Sequence, residues 1–256
     1  MAQVLKSVSQ ALRILELLQQ HPRLGVSEVA EKLGIGSSTA HRILVTMQEA
    51  GFARQSEPGR KYELGPRMQA TRHSAVIDRI LDASTPHMLA LRDATGETVH
   101  LAALAGTDTR FLAAYESPHI MRVTSRVGSV LPAHTTAAGK VLLSYLPEDQ
   151  LTSLYPPGTL TEETPESITT LDALRAELRL VRERGYGHNL AESELGVAAL
   201  AVPLTDPDRQ LTLALTVSGP DFRFNPDRTL GLSSREEQLL GLLRDAVHRI
   251  QSHIPA

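Results

Sequence analysis

The segment Val26–Leu64 constrains the fold more than any other part of the sequence. Apolar residues at helical spacing predict a short helix that ends at Gly34 and a second helix over about Ser37–Ala50. Two short alternating runs follow Gly51, and a cluster of turn-forming residues at Ser56–Arg60 separates them, as expected for a β-hairpin. A helix, a tight turn, a second helix and a hairpin in this order predict a winged helix-turn-helix, which is a DNA-binding unit.

The outer face of the second helix carries side chains that suit a DNA groove. Ala40, Leu44 and Met47 share the face that is predicted to be buried. On the opposite face, hydroxyl groups near the helix start can bind a phosphate, and a guanidinium can fork onto a guanine edge. The helix is therefore predicted to contact DNA through Ser37, Ser38, Thr39, His41, Arg42 and Thr46. A purely solvated role stays open for His41.

The predicted hairpin adds basic side chains beside this helix. Arg54, Arg60 and Lys61 lie on its strands and turn. Such residues contact phosphates or enter the minor groove, and they fix the position of the protein more than they read sequence. A helix pair with a solvated polar face also occurs in enzymes, but the basic hairpin favours DNA binding.

The charge of the chain is distributed unevenly. The whole chain carries a formal net charge of −3, whereas residues 1–65 hold eight Lys or Arg against six Asp or Glu, a net charge of +2. The remaining residues hold 18 against 23, a net charge of −5. The positive excess coincides with the predicted DNA-binding unit but is small, so we expect a dimer that sums several phosphate contacts.

Composition excludes several classes of protein. A chain of 256 residues with 41% hydrophobic residues is long enough for two globular domains. No window approaches the roughly 18 consecutive apolar residues of a membrane span, so we expect a cytoplasmic protein without membrane contact. The chain has no cysteine, which excludes disulfides, thiolate metal sites and zinc fingers of the usual kind.

Helical patterns flank the winged unit on both sides. A helix over about Leu5–Gln20 is predicted, with a buried face formed by Val8, Leu12, Leu15 and Leu18. After the hairpin, a helical stretch begins at Gly65, is expected to break at Pro86, and ends at Gly96. We therefore assign residues 1–65 to a DNA-binding domain, 66–84 to a linker helix and 85–256 to a second domain.

The second domain shows mixed patterns. Alternating or apolar runs predict strands at Thr98–Leu104, Thr109–Glu116, Ile120–Ser125, Val197–Leu204 and Leu211–Ser218. Helical spacing predicts helices at Thr136–Leu146, at Leu171–Arg184 and after a capping box formed by Ser233 and Glu236. The domain is therefore predicted to be α+β, with one antiparallel sheet covered by helices.

The ordered motifs of the chain resemble those of a known family over nearly its whole length. They are Ser38–Arg42, Tyr62–Gly65, Gly96–Leu101, Arg126–Gly128, Leu131–His134, Ala138–Lys140, Arg184–Tyr186 and Val217–Pro220. By these motifs the chain resembles a full-length member of the isocitrate lyase regulator (IclR) family of bacterial transcription factors. The resemblance implies a GAF-like effector-binding domain, homodimers or homotetramers, and double-stranded DNA operators that contain inverted repeats.

The resemblance also implies a pocket for a small-molecule effector. Matched by position, the pocket falls on Ala137, Ala138, Asn189, Ala199, Thr216 and Ser218. Members that bind carboxylates often have Asp and Cys at two of these positions, so Asn189 and Ala199 imply a roomier and less acidic site. We expect a small aromatic or branched acid, or a related amide, rather than a two- or three-carbon keto acid.

Physical arguments suggest how such a ligand would be held. Backbone N–H groups at the start of the helix near Ala137 would attract an anion, and Asn189, Thr216 and Ser218 would donate hydrogen bonds. The alternative is that Thr216 and Ser218 are ordinary strand residues and that side chains fill the pocket.

Other functions are predicted to be less favoured. His100, His134 and His188, with Glu192 or Glu194, could in principle converge on zinc, but their spacings match no ligand motif. We therefore predict no metal, cofactor or catalytic residue, since nucleophile elbows, phosphate loops and dinucleotide fingerprints are also absent from the sequence. The alternative is an enzyme or metal-binding GAF-like protein with an accessory helix-turn-helix. An architectural DNA-binding protein without effector is disfavoured by the size of the second domain.

Overall fold

The computed structural model describes residues 5–254 except 22, 57–59, 157, 159, 207–210 and 228–230, and for residues 69–75 it describes the backbone alone. The chain divides into two compact units, Met1–Ile77 and Asp78–Ala256. The division falls inside a long helix, Pro66–Thr95.

The first unit is the predicted winged helix-turn-helix. Its elements are α1 (Lys6–Gln20), α2 (Val26–Leu33), α3 (Ser37–Glu49), β1 (Ala53–Ser56) and β2 (Lys61–Leu64), after which α4 (Pro66–Thr95) begins. The two strands are antiparallel, and Leu24 forms a further bridge to Tyr62. The predicted turn residues Glu57, Pro58 and Gly59 lie outside the described residues.

Local chemistry sets the positions of α2 and α3. The carboxylate of Glu28 accepts a hydrogen bond from the backbone N–H of Gly25 at 2.6 Å, which is half of a capping box, because Gly25 has no side chain to complete it. Gly34 ends α2 with φ of +65°, a left-handed conformation that favours glycine. Ala40 and Leu44 of α3 are fully buried, as the helical pattern predicted. This packing leaves the opposite face of α3 to solvent.

The prediction for the buried face of α1 is wrong at two positions. Val8 and Leu12 are 52% and 57% exposed, whereas Ile14 and Leu18 pack into the core of the first unit. Helical spacing shows which residues share a face but does not show whether a neighbour covers that face. The first half of α1 therefore keeps an uncovered apolar strip.

The predicted break at Pro86 is also wrong, because α4 continues through this proline. Proline removes one backbone hydrogen bond to the preceding turn. The hydroxyl of Thr85 donates to the carbonyl oxygen of Leu81 at 3.0 Å beside that gap. Ile80 and Met88 are buried on either side of the proline, and this packing outweighs the lost backbone bond.

The second unit has the predicted α+β architecture. Its strands are β3 (Thr98–Ala105), β4 (Asp108–Tyr115), β5 (Val130–Pro132), β6 (Gly187–Leu190), β7 (Val197–Thr205) and β8 (Thr212–Pro220). Its further helices are α5 (Ala137–Ser144), α6 (Glu148–Leu154), α7 (Leu171–Arg184), α8 (Asp221–Phe224) and α9 (Ser234–His253), with a 3₁₀ turn at Ala133–Thr135. Within the described part of the chain, the strands form one antiparallel sheet in the order β5-β4-β3-β8-β7-β6.

Helices cover the sheet. Helix α5 packs against β6, β7, β8 and β3, and α9 packs against β7 and β8. Five consecutive residues of β7, Ala198–Val202, are buried, and successive residues of a strand point to opposite faces. Both faces of the sheet are therefore covered. The capping box predicted at Ser233 and Glu236 begins α9.

The predicted strand Ile120–Ser125 is not formed, and β5 takes its place at the edge of the sheet. The carboxylate of Glu116 accepts a hydrogen bond from the backbone N–H of Ser125 at 2.9 Å, which closes the intervening segment into a loop. Ile120 at the tip of this loop is 96% exposed. The alternating pattern identified apolar residues correctly but could not show that this loop bond competes with strand pairing.

Candidate functional site

The polar face of α3 is open to solvent. The predicted contact residues Ser37, Ser38, Thr39, His41, Arg42 and Thr46 are all exposed. Gly36 precedes the helix, and no side chain caps its first turn, so backbone N–H groups there can meet a phosphate. The hydroxyl of Thr46 donates to the carbonyl oxygen of Arg42 at 2.9 Å, so it can offer DNA only an acceptor.

Carboxylates partly neutralise the basic residues of the hairpin. Glu63 accepts hydrogen bonds from Arg54 at 2.6 Å and from Arg23 at 3.2 Å. The hydrogen bond from Arg54 lowers the pKa of Glu63, so this carboxylate stays ionised. Lys61 lies 3.5 Å from Glu28.

Arg42 and Arg60 carry the less compensated charges of this surface. Neither side chain forms an ion pair with a carboxylate in the described part of the chain. Arg60 has φ of +53°, an uncommon conformation for a residue with a side chain, and it is exposed at the end of the hairpin turn. Arg23 is a basic residue of this surface that sequence reasoning missed; its charge was the only signal, because the bridge between Leu24 and Tyr62 is a tertiary contact.

The residues predicted for the effector site come together in the second unit. Ala137, Ala138, Asn189, Ala199, Thr216 and Ser218 all line one cavity. Its volume is about 30 Å³, which is close to the space of one water molecule. Side chains such as His100 and Phe111, with rings 5.1 Å apart, border this small cavity, and the expectation that Asn189 and Ala199 make the site roomier than in related proteins stays a prediction.

Two expected ligand-binding groups already have partners. The amide nitrogen of Asn189 donates to Ser193 at 2.9 Å, and its oxygen accepts from the backbone N–H of Glu192 at 2.8 Å. Asn189 therefore organises the segment after β6, and it has one N–H left to offer a ligand. At the start of α5, the hydroxyl of Thr136 accepts from the backbone N–H of Gly139 at 2.9 Å, so this N–H is also taken.

Several residues that line the cavity were not predicted as effector contacts, and two of them, His100 and Arg126, have polar side chains that suit an anion. His100 was considered only as a metal ligand and Arg126 only as part of a motif, yet both line the cavity. Burial, followed by the positive charge of Arg126, lowers the pKa of His100 to about 4 against the opposing effects of Thr124 and Glu116. The imidazole is therefore neutral near neutral pH.

The histidines considered as metal ligands have separate partners. A ring nitrogen of His134 lies 2.9 Å from the carbonyl oxygen of Thr161, and one of His188 lies 2.7 Å from the carboxylate of Glu236. His100 lies 3.4 Å from the hydroxyl of Ser218. Among the described residues, no group of three or more His, Asp or Glu could hold a metal ion.

A buried ion pair supports the wall of the cavity. Lys140 of α5 is 2% exposed and donates to both carboxylate oxygens of Glu192, at 2.6 and 2.7 Å. Glu177 of α7 lies 3.6 Å from the same ammonium group. Burial raises the pKa of Glu192, and the positive charge of Lys140 opposes this effect. The pair thus joins α5 to the segment that follows β6.

A winged helix with an exposed polar face, joined to a sheet domain with an internal cavity, is the arrangement of a DNA-binding transcriptional regulator. Residues 7–57 match the IclR helix-turn-helix domain, and residues 73–252 match the bacterial transcriptional regulator IclR C-terminal domain. The chain therefore belongs to the IclR family of transcriptional regulators.

Individual relatives agree with this assignment. The HTH-type transcriptional regulator XynR of Escherichia coli K12 is 33% identical over 218 residues, which cover 84% of this chain and 86% of XynR. The crystal structure of Thermotoga maritima IclR is 26% identical, covers 97% of this chain and 98% of its own, and has a TM-score of 0.62. An IclR homologue from Microbacterium hydrocarbonoxydans, complexed with 4-hydroxybenzoate, shares the fold with a TM-score of 0.60 at 23% identity over 97% of this chain and 99% of that one.

The relatives are named as transcriptional regulators, and this chain is a regulator rather than an enzyme. No described helix combines the length and apolar character that crossing a membrane requires.

Proposed function

We propose that this regulator binds an inverted-repeat operator as a homodimer or homotetramer, and that a small organic acid in the cavity of the second unit changes its affinity for that DNA. The observation that carries the proposal is the exposed face of α3, where an uncapped first turn, hydroxyl groups and Arg42 lie together. The protein would act in the cytoplasm, where such an operator is accessible.

Each part of the DNA surface has its own role in the proposal. Ser37, Ser38 and Thr39, with the first-turn N–H groups of α3, bind a phosphate. His41 and Arg42 lie further along the helix and reach base edges in the major groove. The hairpin residues Arg54, Arg60 and Lys61 contact phosphates, and Arg60 contributes most because no described carboxylate pairs with it.

The excess of positive charge in the first unit is small, so tight binding to DNA requires more than one copy of the protein. The uncovered strip of α1, formed by Leu5, Val8 and Leu12, gives a second copy an apolar surface on which to pack. Two recognition helices then lie one or more DNA turns apart, about 34 Å or a multiple of it. The effector is proposed to alter this spacing. A coupling free energy of only about 1–3 kcal/mol between effector binding and DNA binding is enough to change operator occupancy severalfold or more. Helix α4 is proposed to transmit this change, because it runs without interruption from the hairpin to the sheet domain.

Substitution of Arg42 by alanine is expected to weaken operator binding by about 1–3 kcal/mol and to relax discrimination against mutated operators. Substitution of Arg60 by alanine is expected to weaken binding to all DNA sequences alike and to reduce the slope of log affinity against log salt by about one. Gel-shift titrations over a range of salt concentrations, with specific and random duplexes, measure both effects. Arg179→Ala, an exposed residue of α7, is the matched control.

Each result can contradict its assignment separately. An equal loss on specific and random DNA for Arg42→Ala would show that Arg42 contacts only phosphate. If Arg60→Ala leaves the slope of log affinity against log salt unchanged, the hairpin is not part of the DNA interface.

The proposed effector class is tested by calorimetric titration of the full-length protein. Benzoate, 4-hydroxybenzoate and 3-methylbutanoate are expected to bind and to shift operator affinity, because Phe111, Val123 and Leu131 provide apolar walls. The compound 4-hydroxybenzoate is included because a relative of the same fold holds it. Tight binding of glyoxylate or pyruvate alone would overturn the assignment. Binding without any effect on operator affinity would favour an architectural protein.

A further inference from the structure

We propose that Arg126, His100 and Thr216 form the anion-binding end of the effector cavity, and that Arg126 exchanges Glu194 for the carboxylate of the effector. This inference rests on the proposed function, in which an organic acid occupies the cavity. It identifies the groups that select an acid over its uncharged amide.

Two cavity residues have polar atoms that lack a partner. Nε2 of His100 and Oγ1 of Thr216 are buried and form no well-aligned hydrogen bond with a described residue, although the backbone of Thr124 lies close enough to the His100 ring to oppose the lowering of its pKa. Both residues line the cavity, and they are direct partners in the register of β3 and β8, so their side chains lie on the same face of the sheet. A buried polar atom without a partner destabilises the protein relative to a hydrogen-bonded one. A ligand that accepts from both groups would relieve this destabilisation.

His100 can serve as a donor in its neutral form. Its Nδ1 lies 3.4 Å from the hydroxyl of Ser218, which donates to this nitrogen when it gives up its longer contact, 3.5 Å, with the carbonyl oxygen of Thr98. In that tautomer the single ring proton lies on Nε2, the nitrogen without a partner. The low pKa of His100, about 4, keeps the ring in this neutral state near neutral pH. A neutral donor suits a carboxylate and leaves the positive charge of the site to Arg126.

Arg126 supplies the positive charge. It lines the cavity, and its Nη2 donates to the carboxylate of Glu194 at 2.5 Å. The Arg126 side chain is 25% exposed and that of Glu194 is 57% exposed. Because Glu194 is largely exposed, water can solvate its carboxylate once the pair opens, and a ligand carboxylate can take its place on Arg126. The guanidinium can then bind the carboxylate of the effector in a bidentate manner, with His100 and Thr216 donating as well.

The exchange also releases a segment next to the cavity. Glu194 belongs to the connection between β6 and β7, in which Glu192 is held by Lys140 and Asn189. Breaking the bond to Arg126 removes one tie of this connection to the loop before β5. Because the cavity has a volume of only about 30 Å³ in this structure, entry of an aromatic acid requires the residues around it to move, and release of this segment allows such a movement.

The test compares two substitutions that break the same ion pair. In the full-length protein, Arg126→Gln removes the proposed anion-binding group, whereas Glu194→Gln removes only its internal competitor. Calorimetric titrations use benzoate with benzamide and 4-hydroxybenzoate with 4-hydroxybenzamide. The wild-type protein is expected to bind the acids more tightly than the amides. Arg126→Gln is expected to lose at least tenfold in affinity for the acids, with little change for the amides. Glu194→Gln is expected to gain severalfold in affinity for the acids.

A control variant and two contrary outcomes distinguish a failure of this inference from a failure of the proposed effector class. Arg122→Gln, which breaks a neighbouring pair with Glu116 outside the cavity, is expected to leave acid affinity unchanged. Thr216→Val is expected to lose severalfold for the acids and keeps the shape of the side chain. If Arg126→Gln and Glu194→Gln change acid affinity in the same direction, the pair is structural and the inference fails while the acid effector stands. If wild type binds none of the acids, the proposed effector class fails and the inference fails with it.

Discussion

Substitution of Gly139 by alanine is expected to destabilise the second unit by about 3 kcal/mol or more. A Cβ atom at this position would overlap the backbone carbonyl oxygen and Cα of Ala133, and also the hydroxyl of Thr109. The backbone atoms cannot rotate away, so α5 must move from the sheet. Urea unfolding followed by circular dichroism measures the loss, and effector and operator binding should decline with it.

The chain offers a matched control in another helix. Gly241 lies in α9, and a Cβ atom there would meet nothing within 4 Å. Gly241→Ala is expected to leave stability unchanged or to raise it by up to about 1 kcal/mol, because alanine favours the helix. Similar losses for the two variants would contradict the packing described for α5.

Substitution of Lys140 by methionine is expected to cost about 3–5 kcal/mol near neutral pH. The variant keeps most of the side-chain volume but leaves the buried carboxylate of Glu192 without its counter-charge. Arg175→Met is the control, because Arg175 pairs with exposed carboxylates on the surface and such solvated pairs contribute little to stability.

The loss in the Lys140 variant should depend on pH. Because the pKa of Glu192 is raised in the folded protein, its stabilising contribution is complete below the unfolded pKa and disappears as the pH rises through the folded pKa. Removal of the Lys140 charge raises the folded pKa further. The difference from wild type in free energy of unfolding should therefore shrink between about pH 7.5 and about pH 5. A difference that is the same at both pH values would show that Glu192 is not the source of the loss.

Sequence patterns predicted the helices and helix ends that are specified by residues close together in the sequence. The pattern of α7 ended at the glycine that terminates it, and the capping box of α9 lies where Ser233 and Glu236 predicted. Family motifs placed six positions that line one cavity. The helix predictions succeeded because spacing and caps are properties of neighbouring residues, whereas the role of the six cavity positions as effector contacts stays a prediction.

The sequence did not show which apolar or charged groups would find partners. Val8 and Leu12 carry the same helical signal as buried residues, and Arg54 looks as free as Arg60 until Glu63 is placed beside it. Arg126 is distant in sequence from Glu194, so their pairing could not be read from local spacing. Contacts of this kind depend on which distant segments of the chain the fold brings together.

By itself, the sequence determined a winged helix-turn-helix followed by an α+β domain, because helical and strand periods, turn residues and motifs are encoded locally. Only the tertiary structure decided that the cavity is nearly filled, that Asn189 is already engaged, and that Nε2 of His100 and Oγ1 of Thr216 are buried without a well-aligned hydrogen bond among the described residues. The reason is physical: free volume and hydrogen-bond satisfaction result from side chains packed together from separate strands and helices, and no single segment specifies them.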